Sequence, residues 1–177
     1  MQLVLLNSFV NAVISSTNNQ LSIVTLKTDK GNIIIELYPE CAPKTVANFV
    51  KLVETGFYDG LSFHRYVKDF VIQGGDPDGT GTGGPGWTIP GEFQDAKLRK
   101  MMPAHEKGVI AMARKPSPNS AGSQFYICLN EDTSGYTHLN GSYTTFGRVI
   151  EGIDVIDQLR EGDIMNEVTH KFQELDN

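Results

Sequence analysis

The feature that most constrains this chain is a succession of short strand-like runs broken by turn residues. Leu21-Ser22-Ile23-Val24-Thr25-Leu26 and Ile33-Ile34-Ile35-Glu36-Leu37-Tyr38 flank the turn Asp29-Lys30-Gly31-Asn32, and together they read as an antiparallel hairpin. Residues 61–66, 70–73, 108–113, 123–129 and 144–149 are further strand-like runs, and 166–170 reads as a closing strand. Helical spacing occurs in two places. Val46, Phe49, Val50 and Val53 follow Pro43, whose missing N–H suits a first helical turn, and Gly56 stops the run. Residues 155–160 form the core of a second helix that starts near Asp154. No βαβ rhythm links these elements, so a mainly β architecture with a mainly antiparallel sheet is expected. Barrel and sandwich stay equally open on pattern alone; closure would remove exposed edges.

A chain of 177 residues, 40% of them hydrophobic, suits one globular domain with a real core. Its formal net charge of −6 repels a phosphate backbone, so no nucleic acid partner is expected. Lys97, Arg99, Lys100 and Lys107 read as a solvated loop cluster. Cys41 and Cys128 stand far apart and outside any CxxC pattern; they read as free, packed thiols. No run reaches the roughly 20 apolar residues a bilayer crossing needs, and no membrane partner is expected. Residues 1–14 are fairly apolar, but no Lys or Arg precedes Lys27, and Asn7 and Asn11 interrupt the run. The expected layout is an extension over 1–20, a folded domain over 21–170 and a tail over 171–177. The expected compartment is the cytoplasm, with a secreted or organellar location as the alternative if residues 1–20 are a targeting segment. Asn140-Gly141-Ser142 is a formal glycosylation sequon that also reads as a plain turn.

Several chemical motifs are suggested and rejected. Gly79 to Gly84 contains GxGxxG, but Pro85 and Gly86 follow at once and no helix opens, so the segment reads as a loop rather than a phosphate cradle. His64, His105, His138 and His170 include no pair at metal-ligand spacing, and no metal or other cofactor is expected. If Arg65 faces a groove, strand alternation turns His64 inward, where a hydrogen-bonded interior histidine is expected. Ser117, Ser120 and Ser123 form no GxSxG elbow. Trp87, the single tryptophan, lies in the Gly/Pro-rich stretch 74–91 and reads as a loop anchor.

The distinctive segments are Ser62-Phe63-His64-Arg65, then Phe70-Val71-Ile72-Gln73-Gly74-Gly75-Asp76, then Gly108-Val109-Ile110-Ala111-Met112-Ala113. Gly122-Ser123-Gln124-Phe125-Tyr126-Ile127-Cys128 and Leu139-Asn140-Gly141-Ser142-Tyr143-Thr144-Thr145-Phe146-Gly147-Arg148-Val149 complete the set. In these, from about Leu21 to His170, the chain resembles the cyclophilin family of peptidyl-prolyl cis/trans isomerases. The resemblance implies a closed eight-stranded antiparallel β-barrel capped by two α-helices, with a groove for Xaa-Pro peptides. It implies Arg65 as the catalytic arginine, supported by Gln73 and then Gln124. It implies Phe70, Val71, Tyr126 and Leu139 as the proline pocket, and Ala113 and Arg114 as contacts to the substrate backbone. Tyr143 falls where the family's groove histidine stands and His138 where a tryptophan is often found. Gly81 and Thr82 match the loop lining a neighbouring pocket. Implied partners are proline-containing peptides, unfolded or folding proteins and, weakly, cyclosporin-like cyclic peptides, bound by a monomer.

The departures carry expectations. Val71 replaces a longer residue, often methionine, and implies a shallower socket. Tyr126 adds a hydroxyl where phenylalanine is common. His138 loses an indole N–H and a large face, which weakens cyclosporin binding. Arg114 replaces asparagine and brings positive charge to the substrate backbone, favouring acidic neighbours.

These residue types suit the reaction. Rotation about Xaa-Pro is slow because it breaks amide resonance, a barrier of about 18–20 kcal/mol. Halfway round, the proline nitrogen regains its lone pair, so a donor aimed at it stabilises the twisted state over both planar ones. A guanidinium is always charged and offers several donors in a rigid fork. A hundred-thousand-fold acceleration needs only about 7 kcal/mol. The competing readings are a peptide-binding module of the same fold without turnover, and a nucleotide-binding enzyme using residues 79–84.

Overall fold

The first two strands turn on each other at Thr28 and Gly31. β1 (Gln20–Thr28) and β2 (Gly31–Leu37) pair antiparallel from Thr28 against Gly31 to Ser22 against Leu37. The Thr28 hydroxyl donates to the Gly31 carbonyl at 2.8 Å, and Gly31 takes a φ of +136° that other residues resist. This is a computed structural model, and it describes residues 20–174. The expected extension over 1–20, apart from Gln20, and residues 175–177 of the tail lie outside the described residues.

Six further strands follow: β3 (Arg65–Val67), β4 (Val71–Gly74), β5 (Val109–Met112), β6 (Phe125–Cys128), β7 (Thr145–Glu151) and β8 (Glu167–Glu174). They form one eight-stranded sheet in the order β3-β4-β6-β5-β7-β2-β1-β8, with every pairing antiparallel. The closed barrel is the expectation that needs correcting. β3 and β8 end the sheet and do not pair as a ladder. The chain just before each end strand meets in a single antiparallel bridge, Ser62 with Ile164, supported by backbone bonds such as Phe63 N–H to Asp163 O at 2.8 Å. Only Arg65, Tyr66 and Val67, of the expected strand over 61–66 and its continuation, hold ladder geometry.

Helix α1 (Pro43–Glu54) forms where the apolar spacing places it. Its N-terminal N–H groups lack a local side-chain cap; the carboxylate of Glu92 accepts from Lys44 N–H at 2.9 Å, Thr45 N–H at 2.8 Å and the Thr45 hydroxyl at 2.6 Å. α2 (Ala96–Arg99) is a single turn capped by Asp95, and it includes two of the cations read as a loop cluster. α3 (Ile153–Gln158) buries Val155 and Ile156 and ends at Leu159, whose backbone is extended. α1 packs on β8 and α3 on β2.

The core lies between the sheet and α1. Leu26, Ile33, Ile35, Phe49, Phe63, Ile72, Ile110, Phe125, Ile127 and Phe146 are all sealed from solvent within it. The period-two alternation of β4, β5 and β6 then sets up a second, smaller apolar cluster on the opposite face. Ile72, Ile110, Phe125 and Ile127 point into the main core, while Val71, Ala111, Tyr126 and Cys128 join Tyr136 and Leu139 on the other side. That second face carries the candidate site.

Candidate functional site

Strand register assembles the site before any side-chain contact is considered. Arg65 of β3 pairs with Gln73 of β4, Gln73 with Tyr126 of β6, and Tyr126 with Ala111 of β5. Directly opposed residues sit close enough for their side chains to interact, so four segments distant in sequence form one row. Arg65 is exposed, and its Nη1 donates to Gln73 Oε1 at 3.2 Å. Gln73 Nε2 donates to Gln124 Oε1 at 3.0 Å, and Gln124 Nε2 to the Gly83 carbonyl at 2.9 Å. The guanidinium is thus the free end of a relay anchored in backbone.

Beside it opens a pocket of about 320 Å³. Arg65, Phe70, Val71, Gln73, Ala113, Arg114, Tyr126, His138, Leu139 and Tyr143 line it together, ten residues singled out from the sequence. Gln124, Gly81 and Thr82 line a separate pocket of about 410 Å³, which Gln73, Ala113 and Arg114 share. Val71, Tyr126 and Leu139 are buried and present their apolar surface as floor and wall. Phe70 stacks on Tyr136, with ring centroids 5.3 Å apart and planes 18° apart, and on His138 at 6.3 Å.

Arg114 has a different setting from a free cation. Its Nε and Nη2 donate to the Ser142 carbonyl at 3.1 and 2.8 Å, and its Nη1 to the carbonyls of Lys115 and Pro116, each at 3.0 Å. The guanidinium carbon lies 4.5 Å from the Tyr143 ring centroid and 5.2 Å from that of Phe93. It clamps two loops and seats the Tyr143 ring.

The larger pocket is walled by the 74–91 loop, which is built around one carboxylate. Asp76 is buried and accepts from the N–H groups of Asp78 at 2.8 Å, Gly81 at 2.5 Å and Gly83 at 3.1 Å. Burial raises its proton affinity, but those three N–H groups and nearby His64 outweigh it and hold the carboxyl below its ordinary value. Trp87 anchors the loop as expected: its indole N–H donates to Asn48 Oδ1 at 2.8 Å, and Asn48 Nδ2 donates to the Gly122 carbonyl at 2.8 Å. Gly75 opens the loop at φ +85°, where a Cβ would sit 2.5 Å from the Ser123 carbonyl.

His64 corrects an expectation. Both its ring nitrogens are buried, and neither has a hydrogen-bond partner among the described residues. Alternation put the ring on the inner side, but the nearby carboxylate of Asp76 is already committed to the loop's N–H groups.

Sequence reasoning missed two supports. The Tyr136 hydroxyl donates to the Phe70 carbonyl at 2.5 Å and accepts from the N–H groups of Leu129 and Asn130. His105 is 1% exposed and hydrogen-bonds Tyr126 and Asn140. Both act through hydrogen bonds to distant partners; the aromatic residue types were the only signal available. Burial pushes the phenol of Tyr126 well above its ordinary value and the Cys128 thiol up to about 12, so neither ionises near neutrality. The arrangement offers no activated nucleophile. It can bind an apolar ring and direct a fixed donor at its edge.

Residues 23–174 match the family model for the cyclophilin type peptidyl-prolyl cis-trans isomerase/CLD. The chain is 47% identical over 143 residues to peptidyl-prolyl cis-trans isomerase B of Bacillus subtilis, covering 81% of this chain and 93% of that one. It is 44% identical over 146 residues to a peptidyl-prolyl cis-trans isomerase of Helicobacter pylori, covering 81% and 83%. Among solved structures it resembles a cyclophilin-type isomerase of Cryptosporidium parvum, with a TM-score of 0.73, 29% identity and coverage of 85% and 98%. A structure of that protein in the presence of the dipeptide Ala-Pro matches with a TM-score of 0.71 at 29% identity, covering 88% of this chain and 99% of that one.

Proposed function

This chain belongs to the cyclophilin-type peptidyl-prolyl cis-trans isomerase family, and from that membership and the pocket beside Arg65 we infer that it accelerates rotation about Xaa-Pro bonds in peptides and folding proteins. The observation that carries the mechanism is the exposed guanidinium of Arg65, tied to Gln73 at the rim of a notch formed by Phe70, Val71, Tyr126 and Leu139.

The proline ring enters the notch, where burial of apolar surface holds it still. The preceding carbonyl then swings while the ring stays fixed. As the amide twists, its nitrogen becomes pyramidal and basic, and an Arg65 N–H donates to it. The planar forms offer that nitrogen no lone pair, so the bond is made only in the transition state and raises the rate rather than the affinity. The Gln73–Gln124–Gly83 relay keeps the fork aimed, so little reorganisation is needed at the moment of rotation. Ala113 also lines the pocket, and its small side chain leaves room for the substrate backbone. No covalent bond is made or cut, so the reaction consumes nothing and needs no cofactor.

The substrate is a proline-containing segment of a peptide or an incompletely folded protein, taken by a single copy of the chain in the cytoplasm. Cyclosporin-like cyclic peptides bind weakly, because His138 stacks on Phe70 and offers a smaller face than an indole.

The test is exchange spectroscopy on an Ala-Pro peptide with catalytic amounts of the protein. Exchange between cis and trans faster than the uncatalysed background supports the reading. Saturable binding without faster exchange would reduce the chain to a proline-binding module.

A further inference from the structure

Tyr126 puts a polar hydroxyl on a ring that must present an apolar face to proline. The structure shows where that hydroxyl goes. It lies 2.9 Å from Nε2 of His105, whose ring stacks on Tyr126 with planes 15° apart. On the other side, His105 Nδ1 lies 2.8 Å from Asn140 Oδ1, and the same oxygen accepts the His105 backbone N–H at 2.9 Å.

These contacts determine the proton positions. A backbone N–H can only donate, so the Asn140 atom facing it is the carbonyl oxygen. That oxygen can only accept, so His105 Nδ1 carries the ring proton. Nε2 is then the acceptor, and the Tyr126 O–H donates to it. The hydroxyl hydrogen is held behind the socket, away from the proline site. Asn140 directly follows Leu139, another socket wall, so His105 ties β6 to the 136–143 loop through one ring.

We propose that His105 is a positioning residue for the isomerase site: it locks the Tyr126 and Leu139 walls together and keeps the Tyr126 hydroxyl out of the socket, and its protonation loosens the socket in acid. The inference rests on the proposed use of the socket for proline. A protonated Nε2 would donate to the Tyr126 oxygen and displace the phenolic hydrogen. That hydrogen has no other acceptor among the described residues, so it would turn toward the apolar notch at a cost in proline binding.

The groups facing His105 agree with a neutral ring near neutrality. Burial disfavours its charged form, the hydrogen bond to Asn140 partly offsets that, and nearby His138 acts in the same direction as burial; the net direction is below the ordinary 6.5. Tyr126 and Tyr136 stack on the ring, and Arg99 and Tyr143 line the small cavity of about 190 Å³ beside it. No carboxylate is among these neighbours.

The experiment compares wild type, His105→Ala, Tyr126→Phe and the double variant by NMR titration of an Ala-Pro peptide, with kcat/KM measured from acid to neutral pH. His105→Ala weakens peptide binding about tenfold when Tyr126 is present and less than about threefold in the Tyr126→Phe background. Equal losses in both backgrounds overturn the proposal. His105→Gln can accept from Tyr126 and donate to Asn140 without titrating, so it restores binding and removes the acid limb of kcat/KM below pH 6.5. An unchanged acid limb in that variant also overturns it. The ¹⁵N shifts of the wild-type ring add a test that needs no variant: they show Nδ1 protonated and Nε2 bare at neutral pH, and the reverse tautomer would be contrary. If wild type bound peptide without isomerising it, the function would fall, while the binding cycle would still report the His105–Tyr126 coupling.

Discussion

Replacing Gln73 by leucine separates the aim of Arg65 from its presence. The variant keeps the side-chain volume and the cation but removes the 3.2 Å bond from Arg65 Nη1 and the 3.0 Å bond to Gln124. A hydrogen bond to a charged group contributes about 1.5–3 kcal/mol when shielded, and Arg65 is exposed, so about 1–2 kcal/mol is expected here. If that stabilisation is expressed only in the twisted state, kcat/KM falls about 5- to 30-fold. The socket floor is untouched, so the dissociation constant for an Ala-Pro peptide stays within about twofold. The assay pairs line-shape analysis of peptide exchange with a titration of the same peptide. Gln73→Glu keeps an acceptor for Arg65 and retains more activity than Gln73→Leu. Wild-type activity in Gln73→Leu would rule out this role for Gln73, as would a loss that lies in peptide affinity rather than in rate.

Glu92→Gln replaces one of the two buried acceptor oxygens at the start of α1 with an NH2 that faces a backbone N–H, so at least one of its three bonds is lost; thermal unfolding should show a loss of about 1–3 kcal/mol, a Tm lower by roughly 2–12 °C. Asp76 is held below the ordinary carboxyl value of 3.8, so its contribution to stability is complete above that value and is lost as pH falls through the lower folded value. Asp76→Asn is therefore less stable at neutral pH and loses stability less steeply below pH 3.8; a parallel acid profile would contradict this. Cys41 and Cys128 are buried with thiols pushed up to about 12, so a thiol reagent at mildly alkaline pH labels the native protein only at the rate of unfolding; fast labelling of either would contradict the packing.

What the sequence made legible followed from local periodicity and from the family motifs. The spacing of Val46, Phe49, Val50 and Val53 placed α1, and Gly31 placed the first hairpin. Ten residues named for the groove line a single pocket because the register of β3, β4 and β6 aligns motifs that lie far apart along the chain. Other features depended on long-range geometry. Whether β3 and β8 meet is decided by the twist and length of the whole sheet, which no single run of residues reveals. Alternation assigned His64 to a face but not to a partner. Arg114 lines the pocket where the sequence put it, but the carbonyls that hold its guanidinium, including that of Ser142, come from loops the fold brings together. α2 was missed because a single turn has no periodicity, although Asp95 before Ala96 is a recognisable cap.

Arg65 stands at the centre of the account, and the direct measurement is the isomerisation rate of Arg65→Ala and Arg65→Lys beside their affinity for the same Ala-Pro peptide. The proposed role requires Arg65→Ala to lose at least about a hundredfold in kcat/KM, as removal of one preorganised donor does elsewhere, while still binding peptide. Arg65→Lys loses most activity as well, because an ammonium lacks the planar fork that Gln73 holds. Near-wild-type turnover in Arg65→Ala would contradict the account outright, and near-wild-type turnover in Arg65→Lys would show that charge without the fork is enough.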